Sequence, residues 1–407
     1  MRRQTQVYTK VFLSMPAPEG NSENALRGIC RGGHNRRRFL TGALAAGLGA
    51  SLPFLSVGAT RTANTAALAP TRIAPTRIAL GSCCKSWQPQ EVWDAILQTS
   101  PDLFLFLGDA VYADEDVTGQ PDAMQALSRA YQRFTSVEEF QVFRERVPIL
   151  ATWDDHDYGL RDGGEDFALK EAARRLFLDF WQAPTSDPRR NQVGGIYAAH
   201  EFGPPERLVQ VILLDTRFGR SPLKRLPADE LARAGASGFG PYLPDSAPAA
   251  RMLHEAQWTW LEQQLARPAR LRLICSSVPF AAGFRGWESW ANFPLERLRL
   301  IRLIEAARAG GVLFLSGDVH YGDLSCATRG VPYPLWDLTS SGLTHFWPTP
   351  GPNANRVHAR TVHTRNFGLV HVRWDLGDPL VVLEVRGVNG AIMLQHTLSL
   401  STLALAE

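Results

Sequence analysis

Short, unbroken apolar runs alternate with stretches of helical period through most of this chain. The runs 78–80, 103–107, 147–152, 208–214, 271–276 and 312–315 are too short for helices and too uniformly apolar for half-exposed strands, so they predict β-strands buried on both faces. Between them 91–97, 124–143, 167–181, 249–265 and 295–309 read as helices; in 167–181, Phe167, Ala168, Ala172, Leu176, Phe177 and Phe180 fall near one face. After Trp336 the helical period disappears, and 369–374, 380–385 and 392–400 alternate as strands joined by Asp/Gly/Asn turns. This is an α/β order whose C-terminal strands are expected to close a second sheet against the first. The expected fold class is therefore a two-sheet β-sandwich flanked by helices, in one domain over 76–407. The Pro/Gly/Ala-rich stretch 221–248 reads as a surface loop.

Composition fits a globular protein: of 407 residues, 45% are hydrophobic and 20% charged. The formal net charge of +3 comes from the N-terminus, because residues 1–59 hold eight Lys+Arg and two Asp+Glu. The rest carries 35 basic and 38 acidic side chains, a net of −3, so nothing in the charge favours nucleic acid and none is expected as a global partner. Asn35-Arg36-Arg37-Arg38-Phe39-Leu40-Thr41 precedes an Ala/Leu/Gly-rich run, 42–57, and this order resembles a twin-arginine export signal. Its about 16 apolar residues fall short of the roughly 20 that span a bilayer, so no stable membrane anchor is expected. Residues 1–59 are thus assigned as an export signal read by the twin-arginine machinery, 60–75 as a flexible lead, and the mature protein as periplasmic or extracellular. Cys30 would leave with the signal; Cys83, Cys84, Cys275 and Cys326 are too few and too oddly placed for a disulfide scaffold.

In open α/β sheets ligands bind beyond the carboxyl ends of the strands, so polar residues directly after apolar runs are the candidates. They are Cys83, Asp109, Tyr112, Asp154, Asp155, His156, Asp215, Asp318 and His320, with His345 after a Ser/Gly turn. A single Gly-Asp after a strand is usually a turn or a cap; several ligand-type clusters, each at a strand end, point to metal. Arg217 could make a bidentate phosphate contact or pair with a nearby carboxylate. Asp154 could hold an additional cation or orient His156. Of the adjacent thiols only one can face the site, and Cys84 is expected in the core. The aromatic stretch 280–293 is either a wall for the organic part of a substrate or, more simply, a lid packed on the core.

Gly81-Ser82-Cys83, Gly108-Asp109-Ala110-Val111-Tyr112, Thr152-Trp153-Asp154-Asp155-His156, Leu214-Asp215-Thr216-Arg217, Gly317-Asp318-Val319-His320 and the block 339–345 together resemble the PhoD-like alkaline phosphatases, within the calcineurin-like metallophosphoesterases. The resemblance implies the four-layer fold of that superfamily. It also implies an exported phosphatase or phosphodiesterase in which metal-activated hydroxide attacks a phosphate ester in line. Carried over by motif, Asp109 bridges two metals; Cys83, Tyr112 and His320 complete a ferric site; Asp155 and Asp318 hold calcium; Asp154 is a candidate for a second calcium; His156 is the acid or a phosphate ligand. Thiolate and imidazole suit a transition metal and carboxylates a hard cation. A phenol ionises near pH 10, so Tyr112 as a phenolate ligand calls for a strongly polarising ion such as ferric iron. Two other readings are a Cys-His nucleophilic hydrolase built on Cys83 and His156, and a noncatalytic exported metal-binding protein. Neither the separate N-terminal β-domain nor the C-terminal helix of some relatives is apparent, so open access to the metals is expected.

Overall fold

A computed structural model describes residues 73–113 and 122–405; the expected export signal lies outside the described residues. Two six-stranded mixed sheets form the centre. The first runs β12 (Ile392–Ser399), β11 (Leu380–Gly387), β10 (Asn366–Arg373), β1 (Arg77–Gly81), β2 (Leu103–Leu107), β3 (Ile149–Thr152). The second runs β4 (Ala198–Phe202), β5 (Val209–Leu213), β6 (Leu271–Ser276), β7 (Val312–Ser316), β9 (Leu335–Ser340), β8 (Gly322–Ala327). The C-terminal hairpins thus extend the first sheet, with β10 antiparallel to β1. They do not build the second, which the middle of the chain had already begun. That detail of the sequence reading is corrected; the α/β two-sheet sandwich with flanking helices is what the structure shows.

Strand alternation decides the layers. Ile78 and Leu80 of β1 and Leu103, Leu105 and Leu107 of β2 share one core with Val211, Leu273, Leu313, Val370 and Val385, between the sheets. The intervening Ala79, Phe104 and Phe106 turn outward into a second core, covered by α1 (Val92–Gln98), α2 (Ala123–Thr135), α3 (Glu138–Arg146) and α5 (Lys170–Phe180), with the short α4 (Asp155–Tyr158) beside them. Trp93 is its centre, with ring centroids of Phe104, Phe106, Phe134, Phe140 and Phe143 at 4.9–6.3 Å. On the second sheet α7 (Glu255–Leu265) and α8 (Pro294–Ala306) bury Trp258, Leu261, Leu300 and Ile304.

The helix expected over 124–143 is two helices. Ser136 and Val137 interrupt it, because Ser136 Oγ donates to Arg133 O at 2.7 Å and Gln141 Nε2 to Thr135 O at 2.7 Å, closing the first helix while Val137 is extended. The first of the pair starts at Asp122, whose Oδ1 accepts from the amides of Met124 and Gln125, both at 3.1 Å. Asp122→Ala is expected to cost about 1 kcal/mol in urea unfolding; an unchanged midpoint would mean the cap contributes nothing. The stretch 221–248 contains α6 (Ala228–Ala236), no residue of which is buried. No helix of the described residues is long and apolar enough to cross a membrane.

Candidate functional site

Among the described residues, six of the seven strands with a parallel neighbour carry the site at their carboxyl ends. The residues following β1, β2, β3, β6, β7 and β9 supply Cys83, Asp109, Asp154, Ser277, Asp318 and Ser341, so the site sits astride both sheets. The strand ends touch: Thr152 Oγ1 donates to Leu214 O across the sheets at 2.7 Å. A Cβ at Gly317 would lie 2.5 Å from Ser82 Oγ and 2.9 Å from Leu107 O. Gly108 has φ +98°, and a Cβ there would lie 2.4 Å from Asp154 Cβ. Both Gly-Asp turns therefore need their glycine. Cys83, Asp109, Asp318 and His320 have φ of +64°, +56°, +69° and +59°, a left-handed conformation that costs a side-chain-bearing residue energy and gathers at functional sites.

Cys83 Sγ lies 3.3 Å from Asp109 Oδ2, and Tyr112 Oη donates to the same oxygen at 3.1 Å. Tyr112 Oη is 3.4 Å from His320 Nε2 and 3.3 Å from His345 Nε2. Ser341 Oγ ties the two sheets' contributions together, 3.0 Å from Cys83 Sγ and accepting from His320 N at 2.9 Å. Burial first, and the Asp109 charge second, push the Cys83 thiol and the Tyr112 phenol well up. Burial, then the charges of His156 and Lys85, lowers His320 to about 3. Burial, then His320 and Lys85, lowers His345 to about 2. Both imidazoles are thus neutral, with a lone pair to offer, whereas the thiol and phenol ionise only beside a compensating cation.

The second cluster comes from the loop after β3. Asp109, Asp155 and His156 place ligand atoms within 4.8 Å of one another, as do Cys83, Asp109 and His320, so Asp109 belongs to both groups. The His156 ring lies on Tyr112 at 4.0 Å between centroids, with Nε2 3.9 Å from Asp155 Oδ1. Burial pushes the Asp155 carboxyl up, but the charges of His156 and Arg217 and the amides of Asp162 and His156 outweigh it and hold it below its usual range. Asp109 is raised, by burial above all, with Asp155 and Asp154 adding to it against His156. Asp157 fixes this loop to the turn after β2, accepting from Val111 N at 3.2 Å and Asp154 N at 3.1 Å.

Arg217 takes the ion-pair alternative. Fully buried, it donates from Nη1 and Nη2 to the Glu288 carboxylate at 2.7 and 3.0 Å and from Nε to Asp154 Oδ1 at 2.6 Å. With no exposed surface it cannot meet a phosphate arriving from solvent, and its expected substrate-binding role is corrected to a structural one. Asp154 Oδ1 is held by Arg217 and Ser277 Oγ, the latter at 2.6 Å. Asp215 accepts from the amides of Ile196, Arg217 and Phe218, so it shapes a turn outside the cluster. Cys84 is in the outer core, 3.6 Å from Gln90 Oε1.

Asp318 lines the same cavity as Asp109 and Asp155, but its carboxylate is turned to Arg285 Nη2, 3.6 Å away. Arg285 was missed in the sequence. It is buried, donates to Tyr321 Oη at 2.7 Å and, like Arg161, borders the cavity. Its signal was present, one cation in the aromatic stretch 280–293, but the aromatics masked it. Glu288 was missed for the same reason. Asp155, Asp162 and Glu288 form a third acidic group; within it Arg217 pairs with Glu288, and the Tyr242 hydroxyl donates a hydrogen bond to Asp162.

The donor set fits metal binding at two adjoining groups that share Asp109. Sulfur, phenol and imidazole gather at Asp109 from Cys83, Tyr112 and His320, Asp155 and His156 form a second group with it, and the buried Asp109 Oδ1 and Asp154 Oδ2 have no hydrogen-bond partner. A family model for PhoD-like phosphatases matches residues 78–359, well over half the chain. The chain belongs to the PhoD-like phosphatase family. Membership makes it a phosphoester hydrolase at the level of the family. A solved structure described as PhoD is 16% identical, with 81% of this chain and 70% of that one covered at a TM-score of 0.59; at that identity the likeness concerns the fold. A 5'-nucleotidase precursor from Thermus thermophilus is 10% identical over 81% of this chain and 54% of its own, at a TM-score of 0.34. No curated protein sequence matches.

Proposed function

We propose that this PhoD-like protein is an exported, metal-dependent hydrolase of phosphate monoesters or diesters. The observation that carries the reading is the convergence of Cys83, Asp109 and Tyr112 from the first sheet with His320 from the second. Cys83, Asp109, Tyr112 and His320 would hold a ferric ion, and Asp109, Asp155 and Asp318 calcium. Asp154, with one oxygen engaged by Arg217 and Ser277, has only its other oxygen for a further calcium. When bound, such a pair supplies Lewis-acid charge for the phosphoryl oxygens and a water acidic enough to attack at neutral pH.

The chain's own residues do the rest. Arg285, facing the cavity beside Asp318, orients the anionic phosphoryl group. His156, held on the face of Tyr112, gives the leaving oxygen its proton. Arg217 and Glu288 fix Asp154 and through it the loop that carries Asp155 and His156. A Cys-His nucleophile is disfavoured because burial and Asp109 raise the Cys83 thiol, the reverse of what an activated thiol needs.

Strong chelation is expected to abolish phosphate release from an aryl phosphate ester, with recovery on adding iron and calcium together, while iodoacetamide leaves the holoenzyme active. The loaded protein should absorb visible light through thiolate or phenolate bound to ferric iron. A colourless, iron-free and fully active protein would sink the iron assignment. Chelation-resistant activity that iodoacetamide destroys would restore the nucleophilic thiol, and absence of phosphate release from loaded protein would leave the noncatalytic reading.

A further inference from the structure

Among the described residues three tryptophans are exposed; two of them, Trp287 and Trp347, line this cavity, and the third, Trp87, lies beside Tyr112. Trp287 is 37% exposed, Trp347 45% and Trp87 48%. Trp287 and Trp347 meet edge to face at 5.5 Å, Trp347 lies 6.0 Å from the His320 ring, and Trp87 lies 6.5 Å from Tyr112. Exposed tryptophan normally scatters or finds a partner; here the rings collect beside the proposed reacting centre. The cavity, about 240 Å³, has Asp109, Asp155, Asp318 and His320 at its polar end, and Trp287, Trp347 and Phe239 among its apolar lining.

That lining is fixed in place. Trp347 N donates to His320 O at 2.8 Å, which ties its backbone to a proposed ligand. The stretch 221–248 is pinned to the Trp287 loop by Gly240 N to Arg285 O at 3.0 Å and Tyr242 N to Gly286 O at 2.9 Å. A Cβ at Gly240 would come 2.3 Å from Gly286 O, so the two segments are in direct backbone contact. What reads in the sequence as a surface loop is therefore a wall of the pocket. Within 280–293 the two alternatives divide by residue: Phe280, Trp290 and Phe293 pack in the core, and Trp287 faces the cavity.

We infer that this outer, aromatic half of the cavity is a leaving-group subsite that selects phosphate esters of aryl alcohols. The inference rests on the hydrolase reading, which places phosphorus at the polar end, so that the group it carries extends along Trp287 and Trp347. A flat ring offers both tryptophans a face or an edge, the geometry from which aromatic pairs gain beyond their buried area. A small polyol has no such surface to present. Because Trp287, Trp347 and Phe239 line a cavity, they offer a concave site and not a flat patch for a lipid surface.

The test uses holoenzyme and the double variant Trp287→Ala/Trp347→Ala, with 1-naphthyl phosphate and glycerol phosphate as substrates. The ratio of kcat/KM between the two esters is expected to fall about tenfold, mainly through KM for the naphthyl ester. Trp287→Phe/Trp347→Phe should keep most of the preference. An equal fall on both esters, or none, overturns the subsite. Binding of the nonhydrolysable 1-naphthylmethylphosphonate and of methylphosphonate, by calorimetry, separates this inference from the one beneath it. If wild-type protein hydrolyses neither ester yet binds the naphthyl compound about tenfold more tightly, and the Ala variant does not, the hydrolase reading fails and the subsite stands. Equal binding of the two phosphonates overturns the subsite. Loss of activity confined to phosphatidic acid vesicles, with naphthyl phosphate unaffected, overturns it in favour of a lipid surface.

Discussion

Asp109→Asn is expected to lower phosphate-ester hydrolysis by about 10²–10³, the rate equivalent of the several kcal/mol that metal charge contributes at a phosphoryl transition state. Asp109 is the one carboxylate common to both ligand groups, and an amide oxygen there has neither the charge nor the second equivalent acceptor needed to serve two cations. The same change should raise the thermal midpoint of the chelated protein. Asp109 is buried beside Asp154 and Asp155, its carboxyl is raised well above the usual range, and its Oδ1 has no hydrogen-bond partner, so without metal the ionised group opposes folding. Activity and apo-stability are thus predicted to move in opposite directions. Retention of more than a tenth of the activity would count against the bridge. A lowered midpoint in the chelated variant would show that Asp109 is needed for the fold itself.

The largest loss of stability is expected at Arg217. Its fork holds both oxygens of Glu288 and one of Asp154, all buried, and truncation to Ala leaves two carboxylates without their principal counter-charge. Breaking a buried pair from one side costs about 3–5 kcal/mol. Arg217→Lys should recover only part of this, since a single ammonium cannot reproduce three directed donors. Urea unfolding of chelated protein measures it without interference from bound cations. A loss below about 1 kcal/mol would mean that the pair is offset elsewhere, and the assignment of Arg217 as a structural residue would lose its energetic basis.

The two residues differ in how far their surroundings could be read in advance. Asp109 was legible because everything that marks it is local: a short apolar run, a glycine, then a ligand-type residue, repeated at Asp318. The partner of Arg217 was not, because Glu288 is 71 residues away and nothing in either neighbourhood names the other. The same limit explains the strands that were passed over. β8 and β9 carry Asp323, Ser325 and Asp337, which break the apolar pattern. They are buried because Arg356, Asn353, Ser316 and the amides of Phe280 and Ala281 supply their hydrogen bonds. β4 is a half-buried edge strand with a weak signal of its own. The destination of the C-terminal hairpins was equally out of reach, since the pairing of β10 with β1 joins residues nearly 300 positions apart. Local chemistry at strand ends was readable; which sheet a strand joins, and which charges meet inside, depended on contacts distant in the chain.

The contact of Gly317 with Ser82 and Leu107 also has a temporal meaning. During synthesis Cys83 and Tyr112 emerge early, but Ser341 and His345, their partners, come 258 and 233 residues later. The chain must therefore have been made as far as His345 before the pocket can close. Uptake of an ion by these side chains would report a chain made at least to His345, and a product stalled before that point would be left without one.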